Sequence, residues 1–346
     1  MSITAENITL DSRLVSLIQW LETLPEFSLD PKTVRPASSD ASFRRYFRVD
    51  SGKDSFIVMD APPEKEKIEP FVKVATLFGK SGVSVPEILA KNPEKGFLLL
   101  SDLGAFTYLD RLDDENAGSL YMDAINALIR FQSFSQPHVL PEYDRVTLLG
   151  ELNLFPEWYV TKHLRFSLTP ERKTELEKTF NTLLANNLSQ PQVYVHRDYH
   201  SRNLMHMAET SRPNPGILDF QDALYGPITY DLVSLLKDAY IEWEEERVLD
   251  WVIRYWEKAK KTGMPVNPDI DLFYKDFEFM GVQRHLKVLG IFARLYHRDG
   301  KDAYLKDMPL VMKYASKTAH RYAELAPLAR LLDELQDKKQ DVAYSF

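Results

Sequence analysis

The chain of 346 residues has no cysteine, which rules out disulfides, thiolate nucleophiles and zinc–thiolate centres. It has no excess of positive charge: the formal net charge is −8, so composition forces no basic face for general nucleic-acid binding. No apolar run reaches membrane-spanning length, and the opening Met-Ser-Ile-Thr-Ala-Glu-Asn has no basic stretch followed by an apolar one. There is no internal repeat and no low-complexity tract. These absences set the expectation of a soluble, cytoplasmic monomer whose partners are small molecules, with neither a nucleic acid nor a membrane among them. Against them stand 44% hydrophobic and 12% aromatic residues, enough to exclude wholesale disorder and to fill the cores of two lobes.

Composition changes character near residue 101. Before it, Leu14, Leu17, Ile18 and Leu21 recur at helical spacing, so a helix is predicted over 11–24. Thr33–Arg35, Phe43–Val49 and Ser55–Met59 then read as three strands separated by polar turns. Glu66–Ser81 reads as a helix with Phe71, Val74, Leu77 and Phe78 inward, and 86–90 and 96–100 as two further strands. Beyond Ser101-Asp102-Leu103-Gly104 the pattern is helical, around 121–131 and 170–183, at 230–240, 245–261 and 273–296, and twice more near the C-terminus. The boundary is therefore expected at 101–104, with a β-rich lobe over 1–102 and a helical lobe over 103–346.

One stretch, 193–220, interrupts the helices. Val193 to Val195 reads as a strand feeding the loop His196-Arg197-Asp198-Tyr199-His200-Ser201-Arg202-Asn203. A turn with Pro213, Asn214, Pro215 and Gly216 leads to a second apolar run that ends in Asp219-Phe220-Gln221. The expected unit is hairpin-like and presents two carboxylates and one amide oxygen. The spacing H-R-D-x-x-x-x-N followed by D-F-x is that of a kinase catalytic loop and its metal-binding aspartate. Phosphoryl transfer needs these groups: a base to orient the attacking hydroxyl, and hard oxygen ligands for a Mg²⁺ that bridges nucleotide phosphates. Asp198 is the candidate base, and Asn203 and Asp219 are the candidate Mg²⁺ ligands, with ATP as phosphoryl donor. The fold class expected is α+β, a two-lobed, protein-kinase-like fold with a small antiparallel β-sheet N-lobe and a larger, mainly α-helical C-lobe.

The other candidates follow from position. His196 is expected to hold the loop by hydrogen bonds to backbone carbonyls. Asp231, at the start of an apolar helical pattern, is expected to brace the catalytic loop. Arg197, His200 and Arg202 stand beside the base as contacts to acceptor or phosphate, or as loop braces; Asp222 is a further substrate candidate. His200, Arg202 and Arg284 would suit an anionic acceptor. In the first lobe, kinase-like sites cover the phosphates with a glycine-rich loop and reach them with a lysine on the third strand. Here Ser38 to Ser42 contains no glycine, and Ile57-Val58-Met59-Asp60 contains no lysine. Ser42 therefore marks the candidate phosphate loop. Arg44, Arg45 or Arg48 is expected to supply the missing charge, oriented by Glu66 or Glu69. Backbone groups of the extended Leu98–Asp102 segment, Leu100 and Asp102 among them, are candidates for an adenine edge.

These strings, with Leu218-Asp219-Phe220-Gln221-Asp222-Ala223 and Tyr225-Gly226-Pro227-x-x-Tyr230-Asp231-Leu232, resemble the aminoglycoside phosphotransferase and choline kinase family. Within it, Ser39-Asp40-Ala41-Ser42-Phe-Arg-Arg-Tyr46, Val58-Met59-Asp60-Ala-Pro-Pro63 and Leu99-Leu-Ser-Asp102-Leu-Gly104 are similar to the bacterial amino-sugar kinases of cell-wall recycling. The likeness spans roughly residues 12–300. It implies an ATP-dependent kinase acting on the C1 hydroxyl of N-acetylmuramate or N-acetylglucosamine, giving a sugar 1-phosphate in peptidoglycan recycling. Other acceptors on the same fold are aminoglycosides, choline and homoserine, and a nucleotide-binding pseudokinase is the alternative of a different class.

Overall fold

The computed structural model describes residues 11–38, 43–207 and 212–343. By its contacts the chain divides into two compact units, Met1–Ala105 with Met205–Gln221, and Phe106–Leu204 with Asp222–Phe346. The return of residues 205–221 to the first unit differs from the simple break expected at 101–104.

The first unit is built on an antiparallel sheet of strands β1 (Asp30–Ser38), β2 (Arg45–Ser51), β3 (Asp54–Asp60), β4 (Ile88–Asn92) and β5 (Phe97–Ser101), in the order β1-β2-β3-β5-β4. Helix α1 (Ser12–Leu21) starts at Asp11, whose carboxylate accepts from the backbone N–H groups of Arg13 and Leu14 at 3.1 Å. Its apolar stripe, Leu14, Leu17, Trp20 and Leu21, is buried against Phe47, Val49, Val58, Phe97 and Leu99. Strand alternation then turns Leu98 and Leu100 to the other face, where they are buried as well. Helix α2 (Glu69–Lys80) lies between β3 and β4 in the chain and buries Phe71, Val74, Ala75 and Phe78. Phe220 packs against this helix, its ring 4.9 Å from that of Phe71 and 6.1 Å from that of Phe78. That contact accounts for the 205–221 segment belonging to the first unit. Gly96 turns the chain into β5 at φ +71°, and a Cβ there would lie 1.8 Å from the Ala61 carbonyl oxygen, so only glycine fits.

The second unit is mostly helical: α3 (Tyr108–Arg111), α4 (Ala117–Ser133), α5 (Arg145–Leu154), α6 (Pro170–Ser189), α7 (Tyr230–Leu236), α8 (Glu245–Lys261), α9 (Ile270–Asp299), α10 (Met308–Arg321) and α11 (Ala326–Ala343). The sequence reading gave no helix over 145–163; the structure has α5 continuing into a π-helical segment, Phe155–His163. Pro156 and the change of turn size erase the 3.6-residue signature there. Helix α9 is the spine, buried almost continuously from Phe277 to Ala293 and packed on α5, α6, α7 and α10. No helix among the described residues is long and apolar enough to cross a membrane.

The central stretch is nested rather than a single hairpin. Strand β6 (Gln192–Val195) pairs with β9 (Leu224–Pro227), and the two-residue strands β7 (Leu204–Met205) and β8 (Gly216–Ile217) pair inside them. The long polar loop after Val195 cannot ladder with the short run before Asp219. The apolar strand 192–195 therefore takes the next extended segment that offers buried partners.

Candidate active site

The loop from His196 to Asn203 is held in place by groups remote in sequence. Arg197 adopts φ +80°, a conformation an L side chain pays for and that the surroundings must impose. The imposing group is Asp231, fully buried in the first turn of α7. Its carboxylate accepts from the backbone N–H of His196 at 2.6 Å and of Arg197 at 2.9 Å. Asp231 thus braces the loop as its position suggested. Burial dominates its titration and raises its carboxyl to about 7, against the pull of those two N–H groups. His196 Nδ1 accepts from the Asp198 N–H at 3.3 Å, so this imidazole engages a backbone donor there. The Asn203 amide donates to the Asp198 carbonyl at 2.9 Å, which turns its Oδ1 to the opposite side. Ser201 donates to Asp238 through both N–H and hydroxyl, and the Tyr199 hydroxyl reaches the Ala124 carbonyl at 2.8 Å.

Around Asp198 the second unit assembles a buried set of charges. Glu151 on α5 accepts from Arg197 at 2.7 Å, from Lys287 on α9 at 2.9 Å and from the Tyr143 hydroxyl. Lys287 also donates to the Tyr230 hydroxyl at 2.8 Å. Burial tends to raise the Asp198 carboxyl, but the positive charges around it, Lys287 foremost and Arg284 and Arg197 with it, hold it down at about 2. The carboxylate is ionised at neutral pH, the state a proton acceptor needs. Burial pushes His200 below its ordinary value, so its ring is neutral at pH 7. That ring lies edge-on to Tyr240 at 5.4 Å, and the Arg202 guanidinium stacks on Tyr240 at 3.6 Å. His200, Arg202 and Tyr240 therefore form one surface beside Asp198.

Asp219 belongs to the first unit. It sits at φ +61°, and its Oδ1 accepts from the Gln221 side chain at 2.8 Å. Gln221 stands where the kinase pattern has glycine, and it fixes the carboxylate. The strand leading to Asp219 passes through a tight point at Gly216, where a Cβ would meet Met207 Sδ at 2.8 Å and Leu103 at 2.9 Å. No cluster of three His, Cys, Asp or Glu able to hold a metal occurs among the described residues. Asn203 and Asp219 each carry a hard oxygen of the kind Mg²⁺ takes.

The first-unit candidates separate by strand face. Arg45 shares the face of Phe47 and Val49 and is taken up by Asp60, 2.5 Å away, and by Asp11. Asp60 is fully buried and also pairs with Arg13, so this cluster ties α1 to the sheet rather than facing a ligand. Arg48 points to the opposite face, and Arg44 lies just before the strand. Arg48 is locked on Asp102 through two hydrogen bonds, the longer 3.0 Å, and Asp102 also accepts from the Ser55 hydroxyl and the Gly104 N–H. The Asp102 side chain is thus a brace. Leu100 lies inside the sheet between Ile57 and Ile88. Arg44, 9% exposed, pairs with Glu66 at 2.9 Å. Asp222 is exposed in the turn after Gln221, and Ser42 lies outside the described residues. The sequence reading missed Glu151, Lys287 and Asp238; the only signal for Glu151 and Lys287 was a charged residue set within an apolar helical face, and Asp238, past the end of α7, had none.

With this geometry in view, comparison with known proteins is decisive for the family. Residues 33–266 match the phosphotransferase enzyme family. The chain belongs to that family. This phosphotransferase is 51% identical to the N-acetylmuramate/N-acetylglucosamine kinase of Neisseria meningitidis serogroup B, over 96% of this chain and 99% of that one. It is 50% identical to the kinase of the same name from Pseudomonas aeruginosa, over 94% and 97%. Among solved structures, the choline kinase of Streptococcus pneumoniae superposes with a TM-score of 0.62 at 11% identity, covering 88% of this phosphotransferase and 99% of that chain. An ADP-bound aminoglycoside phosphotransferase superposes with a TM-score of 0.55 at 14% identity, covering 89% and 99%. These two establish the α+β fold of the phosphotransferase.

Proposed function

We propose that this phosphotransferase is an ATP-dependent anomeric sugar kinase that phosphorylates the C1 hydroxyl of N-acetylmuramate and N-acetylglucosamine. The observation that carries the reading is the ionised Asp198 on a rigidly braced loop, in a chain half identical to two kinases named for those sugars over nearly their whole lengths. Asp198 orients the C1 hydroxyl and accepts its proton as the oxygen attacks the γ-phosphorus of ATP. The new C1–O–P linkage forms as the bond between that phosphorus and the β–γ bridging oxygen breaks, releasing ADP. Asn203 and Asp219 are the candidate oxygen donors to Mg²⁺, which would neutralise charge on the phosphates when bound. Arg44, oriented by Glu66, takes the place of the absent strand lysine as the cation directed at phosphate. The His200–Tyr240–Arg202 surface receives the sugar. The product, a sugar 1-phosphate, is the form that a nucleotidyltransferase uses directly, which fits cytoplasmic recycling of peptidoglycan sugars.

An acceptor panel tests this. ADP release is measured with ATP and Mg²⁺ in the presence of N-acetylmuramate, N-acetylglucosamine, an aminoglycoside, choline and homoserine. The two amino sugars are expected to drive turnover. Turnover only with choline, homoserine or the aminoglycoside, or no acceptor-dependent ADP at all, refutes the assignment.

A further inference from the structure

Helix α9 carries several charged residues through the buried interior, and most are matched. Glu278 pairs with Lys237 at 3.3 Å and Arg321 at 2.7 Å; Lys287 pairs with Glu151 at 2.9 Å. Arg284 is different. It is 3% exposed, yet its guanidinium makes no hydrogen bond or ion pair with any described residue, and Nε and Nη1 are both buried without a partner. Five N–H donors carrying a full charge are costly to bury unmatched. A native chain keeps such a group where a ligand completes it.

The surroundings say which ligand. The charge of Arg284 acts on Asp198, His200, Asp231 and Tyr240. None of these neutralises it by contact: Asp231 is spent on the His196 and Arg197 N–H groups, and Asp198 is more than ion-pair distance away. Arg284, buried on α9, therefore lies within electrostatic reach of Asp198, His200 and Tyr240, the groups proposed to meet the acceptor. The planar fork of a guanidinium fits a carboxylate with two parallel hydrogen bonds. Of the two proposed sugars, N-acetylmuramate differs from N-acetylglucosamine by a lactyl ether that ends in a carboxylate.

We propose that Arg284 is the specificity residue of the acceptor site and receives the lactyl carboxylate of N-acetylmuramate. This rests on the kinase reading above and deepens it. The neutral sugar leaves the buried guanidinium unmatched. The acidic sugar supplies the missing partner as a charge-assisted pair, so one site accepts both and favours the acid.

The test is steady-state kinetics of the full chain at saturating ATP on three acceptors: N-acetylmuramate, its methyl ester and N-acetylglucosamine. With the wild type, esterification is expected to lower kcat/KM by about tenfold or more, chiefly through KM. Arg284→Gln is expected to lose about tenfold or more beyond whatever loss it shows on the ester and on N-acetylglucosamine when the acceptor is N-acetylmuramate, the shared loss reporting the weaker hold on Asp198; Arg284→Lys falls between. Equal loss on all three acceptors, or a wild type indifferent to esterification, overturns the inference. Equal loss in kcat would instead put Arg284 on the transferred phosphoryl group. The esterification arm needs no variant and stands even where Arg284→Gln fails to fold. If the wild type turns over neither sugar, the kinase reading itself falls; turnover without discrimination removes only the role of Arg284.

Discussion

Arg44 and Glu66 form an ion pair of 2.9 Å in the first unit, with the arginine side chain 9% exposed. We propose that the pair serves in place of the strand lysine and its glutamate, since the third strand, ending Ile57-Val58-Met59-Asp60, has no lysine. Arg44→Ala is expected to raise KM for ATP by about tenfold or more, and Arg44→Lys by less, because a lysine keeps the charge and loses the fork. Glu66→Gln shifts KM in the same direction by a smaller factor. Arg45→Ala, which breaks the Asp60 and Asp11 contacts, lowers Tm and leaves KM for ATP unchanged in the folded fraction. An ATP titration of the three arginine variants separates the two roles.

Asp231 supports the catalytic loop through two backbone N–H groups. Asp231→Ala leaves both donors buried without a partner, at about 1–3 kcal/mol each. A fall in both Tm and kcat is expected, with KM for ATP little changed. The group also gives the fold a pH dependence. Its carboxyl is raised from 3.8 to about 7, so the unfolded chain ionises first as pH rises. Stability through this group is full below about pH 4 and declines up to about pH 7. Chemical denaturation from pH 4 to 8 is expected to show that decline in the wild type and a flatter profile in Asp231→Asn.

Lys287 heads the positive charges that hold Asp198 at about 2. The wild type is therefore expected to show no acidic limb from Asp198 in kcat/KM between about pH 5 and 8. Lys287→Met removes that charge while burial remains, so the carboxyl rises and an acidic limb moves up into the range about pH 4–6. A pH profile identical to that of the wild type would show that Lys287 does not set the ionisation of the base.

Gly290 on α9 lies against the end of α5. A Cβ there would come within 2.5 Å of the Leu154 carbonyl carbon and side chain. Gly290→Ala forces the two helices apart and is expected to cost about 1–3 kcal/mol, read as a lower denaturant midpoint. Gly118, which has open space at the Cβ position, is the control, and Gly118→Ala is expected to be neutral or stabilising.

The sheet and long helices were legible because their apolar residues recur with a fixed period. Leu14, Leu17 and Leu21 mark α1, and Phe71, Val74 and Phe78 mark α2. The loop at 196–203 was legible through its spacing alone. What was not legible is how it is held. Glu151 on α5 and Asp238, just past α7, bind the loop at Arg197 and Ser201, Lys287 on α9 backs Glu151, and no local pattern announces such contacts. The sequence left Arg44, Arg45 and Arg48 as equal candidates, although Arg45 shares the period-two face of Phe47 and Val49 along β2. The partners that commit Arg45 to bracing, Asp11 and Asp60, come from outside that strand. The pairing of β6 with β9 was misread as a single hairpin because proximity in sequence was allowed to stand for pairing.

The proposed reaction is phosphoryl transfer to the anomeric oxygen, with Asp198 as base. The product of N-acetylmuramate, ATP and Mg²⁺ is examined by phosphorus NMR coupled to the sugar protons, for the wild type and Asp198→Asn. A phosphorus signal coupled to H1 is predicted for the wild type, with a rate about 10²-fold or more lower for Asp198→Asn. Phosphorus coupled to H6 instead of H1 would rule out anomeric transfer, and near-full turnover by Asp198→Asn would rule out Asp198 as the base.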